Sequence, residues 1–146
     1  MPVQRNTPAS AVTSWPSAPE WVVLRTRHPN VLIAGTYDTT EAVVATLLPY
    51  LRPPVYYWTP DASLPAPHDV TTMLIRDMAT LSLDQQHALL SWLDQAGPGH
   101  AQVVSTAALA LFPSVEHGMF LEALYYRLNT VRLDAPAPVV SRTTAN

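Results

Sequence analysis

Val31-Leu32-Ile33-Ala34-Gly35-Thr36-Tyr37-Asp38-Thr39-Thr40-Glu41 is the stretch that decides the fold. Its first four residues form a continuous apolar run, the pattern of a strand buried on both faces in a parallel sheet. A short turn, Gly35-Thr36-Tyr37-Asp38-Thr39, follows. A helix is then expected over residues 40–48, with Thr39 or Thr40 as N-cap and Val43, Val44, Leu47 and Leu48 as the buried stripe. Pro49 ends or kinks it, because a proline ring blocks the preceding turn and removes a donor.

The same alternation continues downstream. Val55-Tyr56-Tyr57-Trp58, Thr72-Met73-Leu74-Ile75, Val103-Val104-Ser105-Thr106 and Thr130-Val131-Arg132-Leu133 read as further strands. Ser82-Leu83-Asp84-Gln85 has the spacing of a capping box and opens a helix to about Ala96, stopped by Gly97-Pro98-Gly99. A helical turn near Leu109 to Phe112 and a helix over residues 120–128 complete the pattern. The proline-bearing loop over residues 59–69 should be extended and exposed. Strands alternating with helices predict an α/β three-layer sandwich around a mostly parallel sheet of about five strands.

Upstream, residues 21–24 have the character of a short edge strand, and residues 1–18, rich in Pro, Ser, Thr and Ala, read as a disordered leader. The folded domain is expected over residues 19–134 and a flexible tail over residues 135–146.

Composition removes several classes of function. Net charge is -3, and all eight basic side chains are arginine: Arg5, Arg25, Arg27, Arg52, Arg76, Arg127, Arg132 and Arg142. They form no cluster in the sequence, so neither direct nucleic-acid binding nor attachment to an anionic membrane is expected. No apolar run approaches the roughly 20 residues that would span a bilayer. The absence of cysteine excludes disulfides and thiolate metal sites and fits a cytoplasmic protein. His28, His68, His87, His100 and His117 lack a second ligand at helical spacing, so no metal site is expected. No serine lies in a nucleophile-elbow setting. Asp61, Asp69 and Asp77 could meet at the sheet's C-terminal edge, where α/β proteins place ligands.

Gly118-Met119-Phe120-Leu121-Glu122-Ala123-Leu124-Tyr125-Tyr126-Arg127-Leu128-Asn129 resembles the arginine-finger segment, roughly G-x-F-R-E-D-L-Y-Y-R-L-N, of the AAA+ domain in bacterial sigma-54-dependent transcription activators. Val31 to Gly35 is similar to that family's opening strand and first glycine in V-L-I-x-G-E-S-G-T-G-K-E. Thr72-Met73-Leu74-Ile75-Arg76-Asp77-Met78 resembles G-T-L-F-L-D-E-I, and Leu81 to Leu93 resembles L-x-x-Q-x-x-L-L-x-x-L. Gln102 to Ala108 looks like the sensor strand V-R-V-I-A-T-T-N. The resemblance implies a P-loop NTPase-like core. Its helical lid and its sigma-contacting G-A-F-T-G-A motif have no counterpart in the sequence.

The resemblance also implies an ATPase, and the matching positions argue against one. Gly35, Thr36, Asp38, Thr39 and Thr40 form a vestigial nucleotide loop, one residue shorter than the family's and without its lysine or later glycines. Backbone amides curl around phosphates only where glycines allow it, and the lysine neutralises their charge. In the vestigial second motif, Arg76 falls on the magnesium aspartate and Asp77 on the catalytic glutamate. A cation cannot coordinate a cation. The sensor falls on Ala107 or Ala108 and the first arginine finger on Leu121, while the second is kept as Arg127. No catalytic residue and no cofactor, ATP and magnesium included, is therefore expected. The expected function is a non-catalytic interaction or regulatory module, with a protein partner: an intact AAA+ activator or the chain itself. Phe120, Tyr125, Tyr126 and Arg127 are the candidate contact residues, since aromatic and arginine side chains dominate interface energetics. An ATP-binding sigma-54 interaction domain with an altered site, and a small α/β domain with an unrelated ligand, remain open alternatives.

Overall fold

The computed structural model describes residues 22–24, 26–97, 101–108 and 111–135. Five strands run in the order β1 (Val31–Ala34), β2 (Val55–Trp58), β3 (Thr72–Ile75), β4 (Gln102–Ala107) and β5 (Val131–Asp134). The helices between them are α1 (Tyr37–Leu47), α2 (Leu83–Ala96), α3 (Phe112–Glu116) and α4 (Glu122–Leu128). The strands form one sheet in the spatial order β2-β3-β4-β1-β5. Every pairing is parallel, with Val31 opposite both Val104 and Val131, and Tyr57 opposite Leu74. The expected three-layer α/β architecture is what the chain adopts.

Strand alternation sorts the core into two halves. Val31, Ile33, Leu74, Val104 and Leu133 point to one face and pack with Val43, Val44 and Leu47 of α1. Leu32, Met73, Ile75 and Val103 point to the other and pack with Leu89, Trp92 and Leu93 of α2 and with Leu124 and Leu128 of α4. Burial of all four residues of β3, and of all six of β4, explains why both read as continuous apolar or small-residue runs.

The helix signal is borne out at α2, whereas α1 starts earlier than expected, at Tyr37, with Thr36 and not Thr39 or Thr40 as its N-cap. At α2 the box closes from both sides: Gln85 N–H donates to Ser82 Oγ, and Ser82 N–H donates to Gln85 Oε1. At the end of α1, Pro49 sits in a single 3-10 turn, Leu48–Tyr50. Other expectations change. Residues 22–24 are helical, not a strand, and Leu24 is buried against the α1 face of the sheet. The expected helical turn near residue 109 is found as α3, beginning at Phe112. The expected leader and tail lie outside the described residues, except Ala135.

The proline-rich loop after β2 is not a free, extended segment. Gln85 Nε2 donates to Pro60 O, Trp58 Nε1 to Ala62 O and Trp92 Nε1 to Pro65 O, so α2 and β2 hold it down. Prolines bring no amide hydrogen, so carbonyls are the groups that need partners, and two indoles and an amide supply them.

Gln86 performs the same service deeper in the core. It is 1% exposed. Its Nε2 donates to Leu81 O and Met119 O, and its Oε1 accepts from Leu121 N–H at 2.8 Å. One buried amide thereby fastens the turn before α4 to α2. Replacing it with leucine keeps the volume and leaves a buried amide and two carbonyls without this partner. Gln86→Leu should lower the unfolding free energy by about 2–4 kcal/mol, read as a shifted midpoint in urea. A midpoint within error of the parent would show that water satisfies these groups instead.

Gly35 is fixed by close approach. Its N–H donates to Ala107 O, and Ala135 N–H donates to Ala34 O, so the ends of β4 and β5 converge on it. Its φ is +156°, and an added Cβ would lie 2.8 Å from both Ala135 Cβ and Thr39 Oγ1. Gly35→Ala should destabilise by about 2 kcal/mol or more. An unchanged thermal midpoint would mean that the end of β5 gives way at no cost.

Candidate functional site

In an open parallel sheet, ligands gather at the carboxyl ends of adjacent strands whose connections leave in opposite directions. Here β1 and β4 are neighbours; the chain leaves β1 towards β2 at one edge and leaves β4 towards β5 at the other. The crevice at their carboxyl ends is therefore the candidate site, and the turn Gly35-Thr36 forms one wall.

Only those two residues separate the end of β1 from the start of α1. The helix is capped from within: Thr36 Oγ1 accepts from Thr39 N–H, and Thr40 N–H donates to Thr36 O. Thr39 Oγ1 turns back to Thr36 O, and Thr40 Oγ1 donates to Tyr37 O. Asp38 adds a carboxylate to the first turn, the favourable sign for a helix N-terminus and the wrong one beside a phosphate. Gly35, Thr36, Asp38, Thr39 and Thr40 thus lie in one strand-to-helix turn, in which Thr36, Thr39 and Thr40 make the cap hydrogen bonds. Thr40 is buried, Thr36 and Asp38 are exposed, and Tyr37 stands out into solvent.

Arg76 and Asp77 follow β3 at the same edge. Arg76 Nε donates to Glu41 Oε2 at 2.7 Å. Glu41 belongs to α1, which follows β1, and β4 lies between β1 and β3, so the bridge reaches across the carboxyl end of β4. The Arg76 guanidinium also lies 5.7 Å from the centre of the Tyr57 ring. The hydrogen bond to Glu41, opposed by partial desolvation and helped by the carboxylate's charge, holds the Arg76 pKa above its ordinary value. Asp77 takes a left-handed backbone conformation, φ 58°, and its N–H donates to Thr106 Oγ1 at the end of β4. It serves as the corner of a 3-10 turn, with its carbonyl accepting from Thr80 Oγ1 and N–H.

Glu41 is the site residue that sequence reasoning did not single out. The pair spans 35 positions, so no local spacing reveals it. A signal was nonetheless present: Arg76 reverses the charge of the aspartate in the motif that β3 resembles, and Glu41, which that family's loop motif also ends on, is the nearby acid no longer preceded by a lysine. The three aspartates do not converge. Asp61 and Asp77 follow β2 and β3, whereas Asp69 precedes β3, at its opposite end. Among the described residues no group of three or more His, Asp or Glu side chains could hold a metal ion. Nor is any helix among them long and apolar enough to cross a membrane.

The candidate contact residues divide. Phe120, 3% exposed, and Tyr125, 6% exposed, are core residues packed with α2 and α3, and they present no surface to a partner. Tyr125 lies on the face of α4 that covers the sheet and Phe120 in the turn before it, so both fill the core although an aromatic in sequence suits an interface equally well. Tyr126, 56% exposed, is edge-on to Tyr125 at a centroid distance of 5.2 Å. Arg127 pairs with Asp94 of α2 through Nη1. Beside Tyr126, Phe112 and Met119 are the exposed large apolar residues of the α3–α4 segment.

Comparison with known proteins places this geometry in context. No curated protein matches the sequence. Among solved structures, the chain superposes on the P-loop NTPase domain of a sigma-54 activator from E. coli with a TM-score of 0.59 and 18% identity, covering 94% of this chain and 99% of that one. NtrX from Brucella abortus, solved in complex with ATP, gives a TM-score of 0.60 and 18% identity, covering 80% of this chain and 33% of that one. A DNA polymerase III gamma subunit-related protein from Thermotoga maritima gives 0.54 and 13%, covering 84% of this chain and 46% of that one. At these identities the likeness is one of fold, and the chain spans about a third of the length of NtrX. The sigma-54 interaction domain family matches residues 58–137, more than half of the chain. With the matching motifs and the sheet order, that match makes the chain a member of the sigma-54 interaction domain family.

Proposed function

We propose that this chain is a non-catalytic member of its family that works through protein contacts and does not turn over ATP. The observation that carries the reading is the Arg76–Glu41 ion pair. It spans the crevice where a relative would place a metal and phosphates, and it puts a guanidinium where a metal ligand would be needed. Three further features support it. The two-residue turn leaves little backbone to form a phosphate cradle. The first-turn amide of Thr39 is already capped. The chain has no lysine to neutralise a triphosphate. Arg127 bonded to Asp94 of its own α2 is likewise engaged within the chain and not extended towards a neighbour's site.

The exposed trio Phe112, Met119 and Tyr126 supports a protein contact on the α3–α4 segment. The partner that fits is an intact AAA+ activator whose assembly this chain would cap or modulate, or a second copy of the chain. Such a role asks only for the packing face of the fold.

Calorimetric titration with Mg-ATP should give no binding tighter than about 100 µM, and the pure chain should show no ATP turnover above buffer. Saturable binding in the low micromolar range would restore the alternative, an ATP-binding domain with an altered site. For the partner, titrating the chain into an intact sigma-54 activator should change that activator's assembly state or ATPase rate. Tyr126→Ser should weaken the effect by about tenfold, the order of one lost aromatic anchor. An activator indifferent to a large excess of this chain, together with a strictly monomeric chain, would rule the contact out.

A further inference from the structure

The amino ends of the strands carry a second feature, which lies away from the crevice. A cavity of about 470 Å³ opens between the end of α2, the end of α4 and the segments entering β1, β4 and β5. That volume is within the range of small-molecule sites. Among the described residues its cations are Arg27 and Arg127, and its one carboxylate is Asp94. Burial, and secondarily the charge of Arg52 at the same end of the sheet, lower the His28 pKa and favour its neutral form.

The two arginines are differently occupied. Arg127 uses Nη1 on Asp94 and keeps further donors on its guanidinium. Arg27 has no acidic partner among the described residues. Its backbone N–H is bonded to Val23 O, which ties its main chain to the helical turn before it. The other walls are mixed: Leu93, Ala96, Ala101 and Tyr126 supply apolar surface, and His28, Asn30 and Thr130 add polar groups.

The rim is rigid. Asn30 Nδ2 donates to Arg127 O at 2.9 Å and Asn30 Oδ1 accepts from Val103 N–H at 2.8 Å, so one side chain joins the start of β1, the end of α4 and β4. Val131 N–H donates to Asn30 O and brings in β5. Beside it, His28 is held at φ 51°, a conformation that non-glycine residues adopt at a cost.

We propose that this cavity binds a small monocarboxylate with an apolar body. Among the described lining residues Asp94 compensates one arginine and one positive charge is left over, which matches a monoanion better than a phosphate dianion. A guanidinium offers the forked donors a carboxylate accepts in pairs. Leu93, Ala96, Ala101 and Tyr126 would cover the body and exclude water from the ion pair. The inference goes beyond the function proposed above and is independent of the reading of the crevice, because the cavity is at the opposite end of the strands from Glu41 and Arg76; it shares only Tyr126 with the proposed contact.

Titration of the isotopically labelled full chain with benzoate, benzamide and inorganic phosphate, followed by amide chemical shifts, tests it. Benzoate should shift residues 26–30, 93–97 and 126–130 in a saturable manner, and benzamide, of the same shape without the charge, should bind at least about tenfold more weakly. Arg27→Gln alters an exposed side chain outside the proposed contact trio. It should weaken benzoate by about tenfold while leaving the thermal midpoint in place. Arg127→Gln should weaken it as well. Equal binding of benzoate and benzamide, stronger binding of phosphate, no effect of Arg27→Gln, or shifts confined to residues 35–41 and 76–77 would each overturn the proposal. The last pattern would also direct attention to the crevice and count against the reading of that site as closed.

Discussion

The chain has two residues, Gly35 and Thr36, in which to leave a buried strand and begin a helix. That constraint organises one end of the molecule. So short a turn presses the start of α1 against the ends of β4 and β5, and only a residue without a side chain fits where Ala135 and Thr39 close in. Because α1 begins at once, its first turn must be satisfied on the spot: Thr36 Oγ1 accepts from the Thr39 amide, while the Thr39 and Thr40 hydroxyls donate to the carbonyls of Thr36 and Tyr37. The same early start places Glu41 in the second turn of α1, where it faces the end of the sheet and meets Arg76. A longer, glycine-rich loop would carry the helix start outward and open room between them.

The rest of the structure shows one solution to a recurring problem, which is how irregular segments are tied to a compact α/β core without regular hydrogen bonding. The chain uses long amide and indole side chains that reach backbone carbonyls. Gln86 fastens the turn before α4, Trp92 and Gln85 fasten the proline-rich connection between β2 and β3, and Asn30 fastens three elements at the amino ends of the strands. Gln102 adds a fourth tie, from Nε2 to Pro29 O. Each tie joins residues far apart in sequence, so its contribution appears only once the sheet has formed.

That distinction explains which parts could be read from the sequence. Strands β1, β3 and β4 are apolar or small-residue runs because they are buried on both faces, and α2 carries its own start signal in Ser82 and Gln85. Such features are local and survive in a string of letters. The fate of residues 22–24 was not local: Val-Val-Leu favours a strand, but the segment packs as a helical turn against a sheet whose edges are already occupied by β2 and β5. Phe120 and Tyr125 were legible as important and not as buried, since an aromatic suits a core and an interface equally well. At the site, the loop and Arg76 were visible from their departures from a motif. Their consequence, an ion pair with Glu41, needed the strand order that brings α1 and the end of β3 to the same crevice.

Fold and chemistry here depend on different residues. The sheet and its helices are held by about two dozen apolar side chains, any of which tolerates conservative exchange while the architecture persists. The crevice depends on the sign of two charges. A site built to receive an anion holds its cation without an internal partner, and the empty state is then electrostatically the poorer one. In this chain the cation and the carboxylate satisfy each other, at 2.7 Å and partly shielded from solvent. Admitting a triphosphate would require breaking that bond and placing Glu41 beside like charge, and the phosphate would have to replace hydrogen bonds that the threonine cap already makes. The ion pair therefore leaves the crevice electrostatically satisfied from within, the condition that the proposed role as a surface-contact module asks of it.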